Sequence, residues 1–106
     1  MTFDTIDKII KEINPTKEQV DQIGNLFEET HSIVNDKIEG NPFNFFLELR
    51  NMMPEHKDRI QVIEEECPSQ LGPYLFLLRL CEHNATIGLY DIINKYNNYT
   101  ISYAFY

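Results

Sequence analysis

The chain has 106 residues, of which 42% are hydrophobic and 25% charged, a composition typical of one folded domain and not of a disordered segment. Its net charge of −8 and its pI near 4.7 argue against direct binding to nucleic-acid phosphates or to an anionic membrane surface. The N-terminal segment lacks a basic start and an apolar run, so we expect no signal peptide and a cytoplasmic protein.

Helix-capping residues and prolines divide the chain into six predicted helices. Pro15 ends the first helix, because the residue before a proline is disfavoured in the helical conformation. Thr16 and Gln19 form a capping box for the second helix, which we expect to end at Gly40 through a left-handed cap. The predicted helices cover residues 3–13, 17–39, 42–53, 55–66, 73–81 and 87–96. The sequence therefore predicts an all-α fold, a compact bundle of five to six short helices.

Two of these helices, the Phe-rich third and the fifth, are apolar on most sides, which predicts a central position for both. Gly24, inside the second helix, indicates a close helix crossing. The residues that we expect to be almost inaccessible to solvent are Phe46, Leu47, Leu77 and Leu80.

Residues 99–106 alternate with a period of two, and their aromatic and β-branched content favours a strand. A single strand in a helical domain would leave its backbone groups without partners. Three conformations stay open for this C-terminal segment: a helix against its propensity, an extended segment packed on the bundle, or an edge offered to another chain.

Charge and tyrosine are unevenly distributed along the chain. Residues 1–66 hold fifteen of the seventeen acids and seven of the nine Lys and Arg, a net of −8, whereas residues 67–106 are neutral and hold all six tyrosines. An acidic surface attracts a basic partner over distance, and amphipathic rings suit close contact. This pattern predicts binding of a basic protein.

The acidic part of the predicted binding surface centres on a run of three acids. Glu64, Glu65 and Glu66 close a helix whose dipole is already negative at that end, so local stability does not favour them. They form either a solvated end kept for solubility or a docking patch for a basic protein. The acids that we expect to extend such a patch are Asp21, Glu28 and Glu29.

Tyrosine supplies the other predicted contacts, because its ring combines a large contact area with a hydroxyl group. We expect Tyr74 and Tyr90 to contribute to the core. The candidates for partner contact cluster near the C-terminus and are Tyr96, Tyr99, Tyr103 and Tyr106.

The sequence contains no recognisable catalytic, cofactor or metal motif. Cys67, Cys81 and His83 lack the tight Cys-x-x-Cys spacing of structural zinc sites, so we interpret both cysteines as buried, reduced thiols. No nucleophile elbow or glycine loop is present, which argues against an enzyme. For Arg79, in an apolar helix, three interpretations stay open: an ion pair with Glu82 or with an acid of another helix, a stem that lies along apolar surface with its charged head in water, or an anion site.

These features predict a non-catalytic binding protein that neutralises or regulates a basic protein. An immunity protein, a toxin–antitoxin component, or an inhibitor of a toxin nuclease or of a nucleic-acid-handling enzyme has this character. The alternative is a structural or adaptor subunit that docks through its Tyr-rich C-terminal segment. The sequence leaves the oligomeric state open.

Overall fold

The structure is a computed structural model that describes residues 3–67 and 71–104, with the backbone alone for 98–104. These residues form six α-helices and one β-hairpin. A 3-10 turn, Pro54–His56, precedes the fourth helix. The elements in chain order are α1 Asp4–Ile13, α2 Lys17–Thr30, β1 His31–Val34, β2 Lys37–Gly40, α3 Pro42–Met52, α4 Lys57–Glu66, α5 Gly72–His83 and α6 Ile87–Ala104. The prediction of a mostly α-helical bundle of short helices is confirmed.

The helix-capping residues predicted for α2 and α3 are confirmed. The hydroxyl of Thr16 accepts a hydrogen bond from the Gln19 amide, and the Gln19 side chain accepts one from the Thr16 amide, which completes the capping box. Asn41 caps α3 through hydrogen bonds from two backbone amides, and Pro42 occupies the first turn. Local hydrogen bonding therefore determines both starts.

The prediction of one long second helix is wrong, because α2 ends at Thr30 and an antiparallel hairpin follows. The hairpin turn is Asn35-Asp36, and both residues have positive φ (52° and 61°), the backbone that a two-residue hairpin requires. Ile33 and Ile38 face each other across the two strands. The β-branched residues around the turn thus pair as strands instead of continuing the helical stripe.

Gly40 does not end a helix through a left-handed cap, since no glycine among the described residues has positive φ. It ends β2 and pairs with His31 at the start of β1. A side chain at this position would collide with the imidazole ring of His31. Gly40 is therefore needed for close approach, which lets His31 enter the core.

The core is organised around α5, which contacts all five of the other helices. Phe46, Leu77 and Leu80 are at most 1% exposed, as predicted. The prediction for Leu47 is wrong, since its side chain is 48% exposed. The cause is that α3 is apolar on more sides than the bundle covers, so one apolar face of α3 stays at the surface.

Gly24 marks the close crossing that the sequence indicated. A Cβ atom at this position would lie 2.9 Å from Cδ1 of Ile92 on α6, which is closer than packed side chains approach. The absence of a side chain on α2 at this point lets α6 pack tightly against it.

An aromatic cluster joins α6 to the hairpin. The ring of Phe27 stacks on His31 at 4.7 Å between centroids and meets Tyr96 edge-on at 5.0 Å. The Tyr96 hydroxyl donates a hydrogen bond to the backbone carbonyl of His31 (3.1 Å). This contact fixes the middle of α6 against the end of α2.

The C-terminal segment is helical as far as Ala104, the last residue that the structure describes. A helix gains one hydrogen bond for each residue added, and α6 extends from a turn that is already packed on α2. Of the three conformations left open by the sequence, the helix against propensity is the one found for residues 99–104. Residues 105 and 106 lie outside the described part of the chain.

Candidate functional site

An apolar pocket of about 220 Å³ lies between the start of α3 and the end of α4. The pocket lies where two helix ends meet: Asn41 caps the start of α3, and Cys67 caps the end of α4. We call it the α3–α4 pocket. Its lining residues are Pro42, Phe43, Phe46, Glu64, Glu65 and Cys67.

The rim of this pocket includes an unusually exposed apolar side chain. Phe43 is 73% exposed, and Leu47, one helical turn further along α3, is 48% exposed. Val62 on α4 is also partly exposed and precedes Glu65 and Glu66 by about one turn. Exposed aromatic and aliphatic groups next to charged ones are typical of interaction surfaces.

The carboxylate of Glu64 is held at the wall of the pocket by an ion pair between the two helices. Arg50 Nη1 on α3 donates a hydrogen bond to Glu64 Oε1 at 3.1 Å, and both side chains are about four-fifths buried. The other oxygen, Glu64 Oε2, is buried and has no hydrogen-bond partner within the described residues. An ionised oxygen in this state retains its full capacity to accept a hydrogen bond.

Glu65 and Glu66 are exposed and add negative charge at the same helix end. Glu65 Oε1 accepts a hydrogen bond from Gln61 Nε2, one turn earlier on α4 (3.3 Å). The last turn of α4 contains no basic residue to offset these charges. The run of three acids therefore combines one largely buried carboxylate with two exposed residues.

Cys67 forms part of the pocket wall as a neutral thiol. Burial raises its pKa, and the neighbouring charge of Glu66 raises it further, so the thiolate needed for nucleophilic attack is disfavoured. Both Cys67 and Cys81 are free and buried, as we interpreted them from the sequence. Among the described residues, no three side chains of the His, Cys, Asp and Glu types are grouped so that they could hold a metal ion.

The other predicted acids lie elsewhere on the surface. Asp21 and Glu28 line a wider groove of about 710 Å³ between α2 and α6, where Glu28 accepts a hydrogen bond from Lys95 (3.3 Å). Glu29 lines a third depression, between α2 and α3. The structure therefore divides the six acids among three places: Glu64, Glu65 and Glu66 share one helix end, Asp21 and Glu28 share the α2–α6 groove, and Glu29 lies apart.

The tyrosine predictions are corrected in two places. Tyr96 is 1% exposed, so it belongs to the core and not to a surface that a partner contacts. Tyr90, which we expected in the core, is 47% exposed on α6. The side chains of Tyr99 and Tyr103, and all of Tyr106, lie outside the described residues.

Arg79 forms the ion pair with an acid of another helix that the sequence allowed. Its Nε and Nη2 donate to the two carboxylate oxygens of Asp7 on α1 at 2.8 and 3.0 Å, and His83 Nε2 lies 3.1 Å from Asp7 Oδ1. The hydrogen bond from Arg79 holds the pKa of Asp7 below its usual range. This cluster joins α1 to α5 and leaves Arg79 engaged within the fold.

Sequence reasoning missed Phe43 as a surface residue. A signal was present, since a helix that begins at Pro42 and is apolar on most sides must expose some of those sides unless neighbours surround it.

Comparisons of the chain with protein-family models, with curated proteins and with solved structures found no match. Among the described residues, no helix has both the length and the apolar character needed to cross a membrane.

Proposed function

We propose that this chain is a non-catalytic binding protein that neutralises or regulates a basic protein. The observation that supports this most directly is the α3–α4 pocket, which the exposed Phe43 lines together with Glu64 and Glu65, while the exposed Glu66 follows at the same end of α4. Charge at such a surface accelerates encounter with a basic partner, and apolar contact then slows its release.

The placement of the acids supports a role in binding over a role in stability. Three carboxylates at the C-terminal end of α4 repel one another and oppose the helix dipole, which costs about 1 kcal/mol in total. Among the described residues, Glu64 is the one acid of the three that gains an ion pair in return. A favourable interaction with a cationic partner accounts for an arrangement that the isolated fold does not favour.

The finer proposal is an immunity protein or inhibitor that acts on a toxin nuclease or on another nucleic-acid-handling enzyme in the cytoplasm. Enzymes of this kind present cationic surfaces to phosphate, and an acidic protein can occupy such a surface. Buried, free Cys67 and Cys81 suit a reducing compartment. The adaptor alternative rests on tyrosines of the C-terminal segment, of which Tyr96 is used in the core.

The test is capture of partners from a native host extract at low salt, followed by association kinetics with the purified partner. The test variant reverses the charges of Glu64, Glu65 and Glu66 to Lys. The control reverses three exposed acids elsewhere, Glu18, Glu39 and Asp91, so that both variants have the same net charge. We expect a basic partner whose association rate falls by about tenfold or more in the test variant and falls further as salt rises.

An acidic partner, or equal association rates for the test and control variants, would contradict the proposal. In that case deletion of residues 103–106 tests the adaptor alternative, because loss of close contacts speeds dissociation and leaves association unchanged.

A further inference from the structure

We propose that the α3–α4 pocket binds a single lysine or arginine side chain of the partner, with its stem against the aromatic wall and its cationic head on Glu64. This inference rests on the proposed function and names the chemical group that the partner inserts. It concerns one side chain, whereas the proposed function concerns the acidic surface as a whole.

The apolar lining of the pocket suits the stem of a long side chain. The pocket, of about 220 Å³, has Phe46 as a fully buried wall, while Pro42 and the exposed ring of Phe43 border its opening. Lysine and arginine pack their methylene groups along such surfaces while their charged heads remain with polar partners. The face of Phe43 also attracts a cation that passes over it.

The polar requirement of the pocket is a hydrogen-bond donor. Glu64 Oε1 is occupied by Arg50, but Glu64 Oε2 is buried and has no partner within the described residues. This oxygen is already shielded from water without a hydrogen bond, which is unfavourable, so a donor that reaches the Glu64 carboxylate from the pocket stabilises it. An ammonium or guanidinium group in the pocket supplies that donor and forms a charge-assisted hydrogen bond with the Glu64 carboxylate.

The charges around the pocket determine the sign of the occupant. Glu64 and Glu65 contribute two negative charges, and Arg50 offsets one of them. The site therefore retains one negative charge, which a single cation neutralises. An anionic side chain would be repelled, and a neutral amide would leave the charge uncompensated.

The experiment is a titration of the ¹⁵N-labelled full chain with a capped pentapeptide, Ser-Gly-Lys-Gly-Ser, followed by amide chemical shifts. A matched peptide contains norleucine, which has the stem of lysine without its charge, and a third contains arginine. We expect the lysine and arginine peptides to shift amides of Phe43, Glu64 and Cys67, and to bind about tenfold or more tightly than the norleucine peptide.

Two variants and two matched controls locate the site. Phe43→Ala removes an exposed ring, and Ile87→Ala removes an exposed apolar side chain on α6 as its control. Glu64→Gln removes the charge of the carboxylate, and Glu39→Gln, at an exposed acid on β2 outside the run of three acids, is its control. We expect both test variants to weaken binding of the lysine peptide severalfold and both controls to bind like the original chain.

The inference is overturned if the norleucine peptide binds as tightly as the lysine peptide, or if the shifts lie away from the pocket. It is also overturned if the Phe43→Ala variant, which leaves the buried core untouched, binds the lysine peptide as tightly as the original chain does. Failure of this inference can be distinguished from failure of the proposed function. If only this inference fails, the lysine peptide does not bind, yet reversal of the three acids still slows association with the basic partner.

Discussion

At the scale of single residues, burial decides which side chains serve the fold and which face solvent. Phe43 and Phe46 lie less than one turn apart on α3, yet one is 73% exposed and the other is fully buried. Hydrophobicity alone does not distinguish them, because the difference depends on which neighbours pack against each face of the helix. For this reason the sequence predicted the burial of Phe46 and also wrongly predicted that of Leu47.

Truncation of buried and exposed apolar residues should separate these classes. Phe46→Ala and Leu77→Ala each leave a cavity in the core and should lower the free energy of unfolding by about 2–5 kcal/mol. Leu47→Ala removes a half-exposed side chain and should cost less than about 1 kcal/mol. Urea denaturation of the three variants measures the differences. Equal losses at Leu47 and Leu77 would show that α3 is packed on a different face.

His31 should make the stability of the fold depend on pH. Its imidazole is 2% exposed, and burial lowers its pKa from the ordinary value of 6.5. Because the unfolded chain binds the proton more readily, stability is fully present above pH 6.5 and is lost as the pH falls from there towards the folded pKa. Asp7, whose pKa is lowered from 3.8, affects stability only in a more acidic range.

The measurement is thermal unfolding at about pH 7.5 and about pH 5.5, compared with a His31→Phe variant that keeps the ring stacked on Phe27. We expect the original chain to lose more stability on acidification than the variant does. An identical loss in both would assign the pH dependence to other groups.

At the scale of secondary-structure elements, the start signals of α2 and α3 were predicted correctly, whereas the continuation of the second helix was not. The caps at Thr16 and Asn41 act through hydrogen bonds to the next few amides, so the local sequence contains the whole signal. Val34 and Ile38, by contrast, lie four residues apart, a spacing that suits one face of a helix as well as the two arms of a hairpin. The choice between them depends on Asn35-Asp36, a turn signal that helical periodicity concealed.

The hairpin turn makes its own prediction. Asp36→Gly should stabilise the fold by up to about 1 kcal/mol, because glycine adopts positive φ without a steric penalty. Asp36→Val should destabilise it by about 1–2 kcal/mol, since a β-branched residue resists that backbone. Chemical denaturation compares the two with Lys37→Val, a substitution on the neighbouring strand that requires no positive φ. A stabilising Asp36→Val would contradict the assigned turn.

At the scale of the whole molecule, the sequence predicts binding of a basic protein, because that hypothesis follows from the distribution of charge. The sequence does not predict the α3–α4 pocket. Net charge is additive along a sequence, so the acidity of residues 1–66 is visible without a structure. The α3–α4 pocket combines Phe43 with Glu64 across two helices, and their closeness depends on how those helices pack. The dispersal of Asp21, Glu28 and Glu29 to other surfaces follows from the same packing.

The fold as a whole should be independent of thiol oxidation and of metal. Circular dichroism should show well over half of the residues helical, with one cooperative thermal transition in buffer that contains reductant and chelator. Omission of both additives should leave the melting temperature unchanged. A melting temperature that falls on addition of reductant or chelator would show that Cys67 or Cys81 takes part in a disulfide or a metal site.

The central position of α5 has a consequence for the order in which the fold can form during synthesis. The ribosome releases α1 to α4 before Gly72–His83 emerges, so these four helices appear before the helix that all of them contact. Until then the emerging chain has a net charge of −8, and self-repulsion keeps such a segment from aggregating. The acidity of the first 66 residues would thus serve the nascent chain as well as the finished protein, by keeping an incomplete core dispersed until α5 closes it.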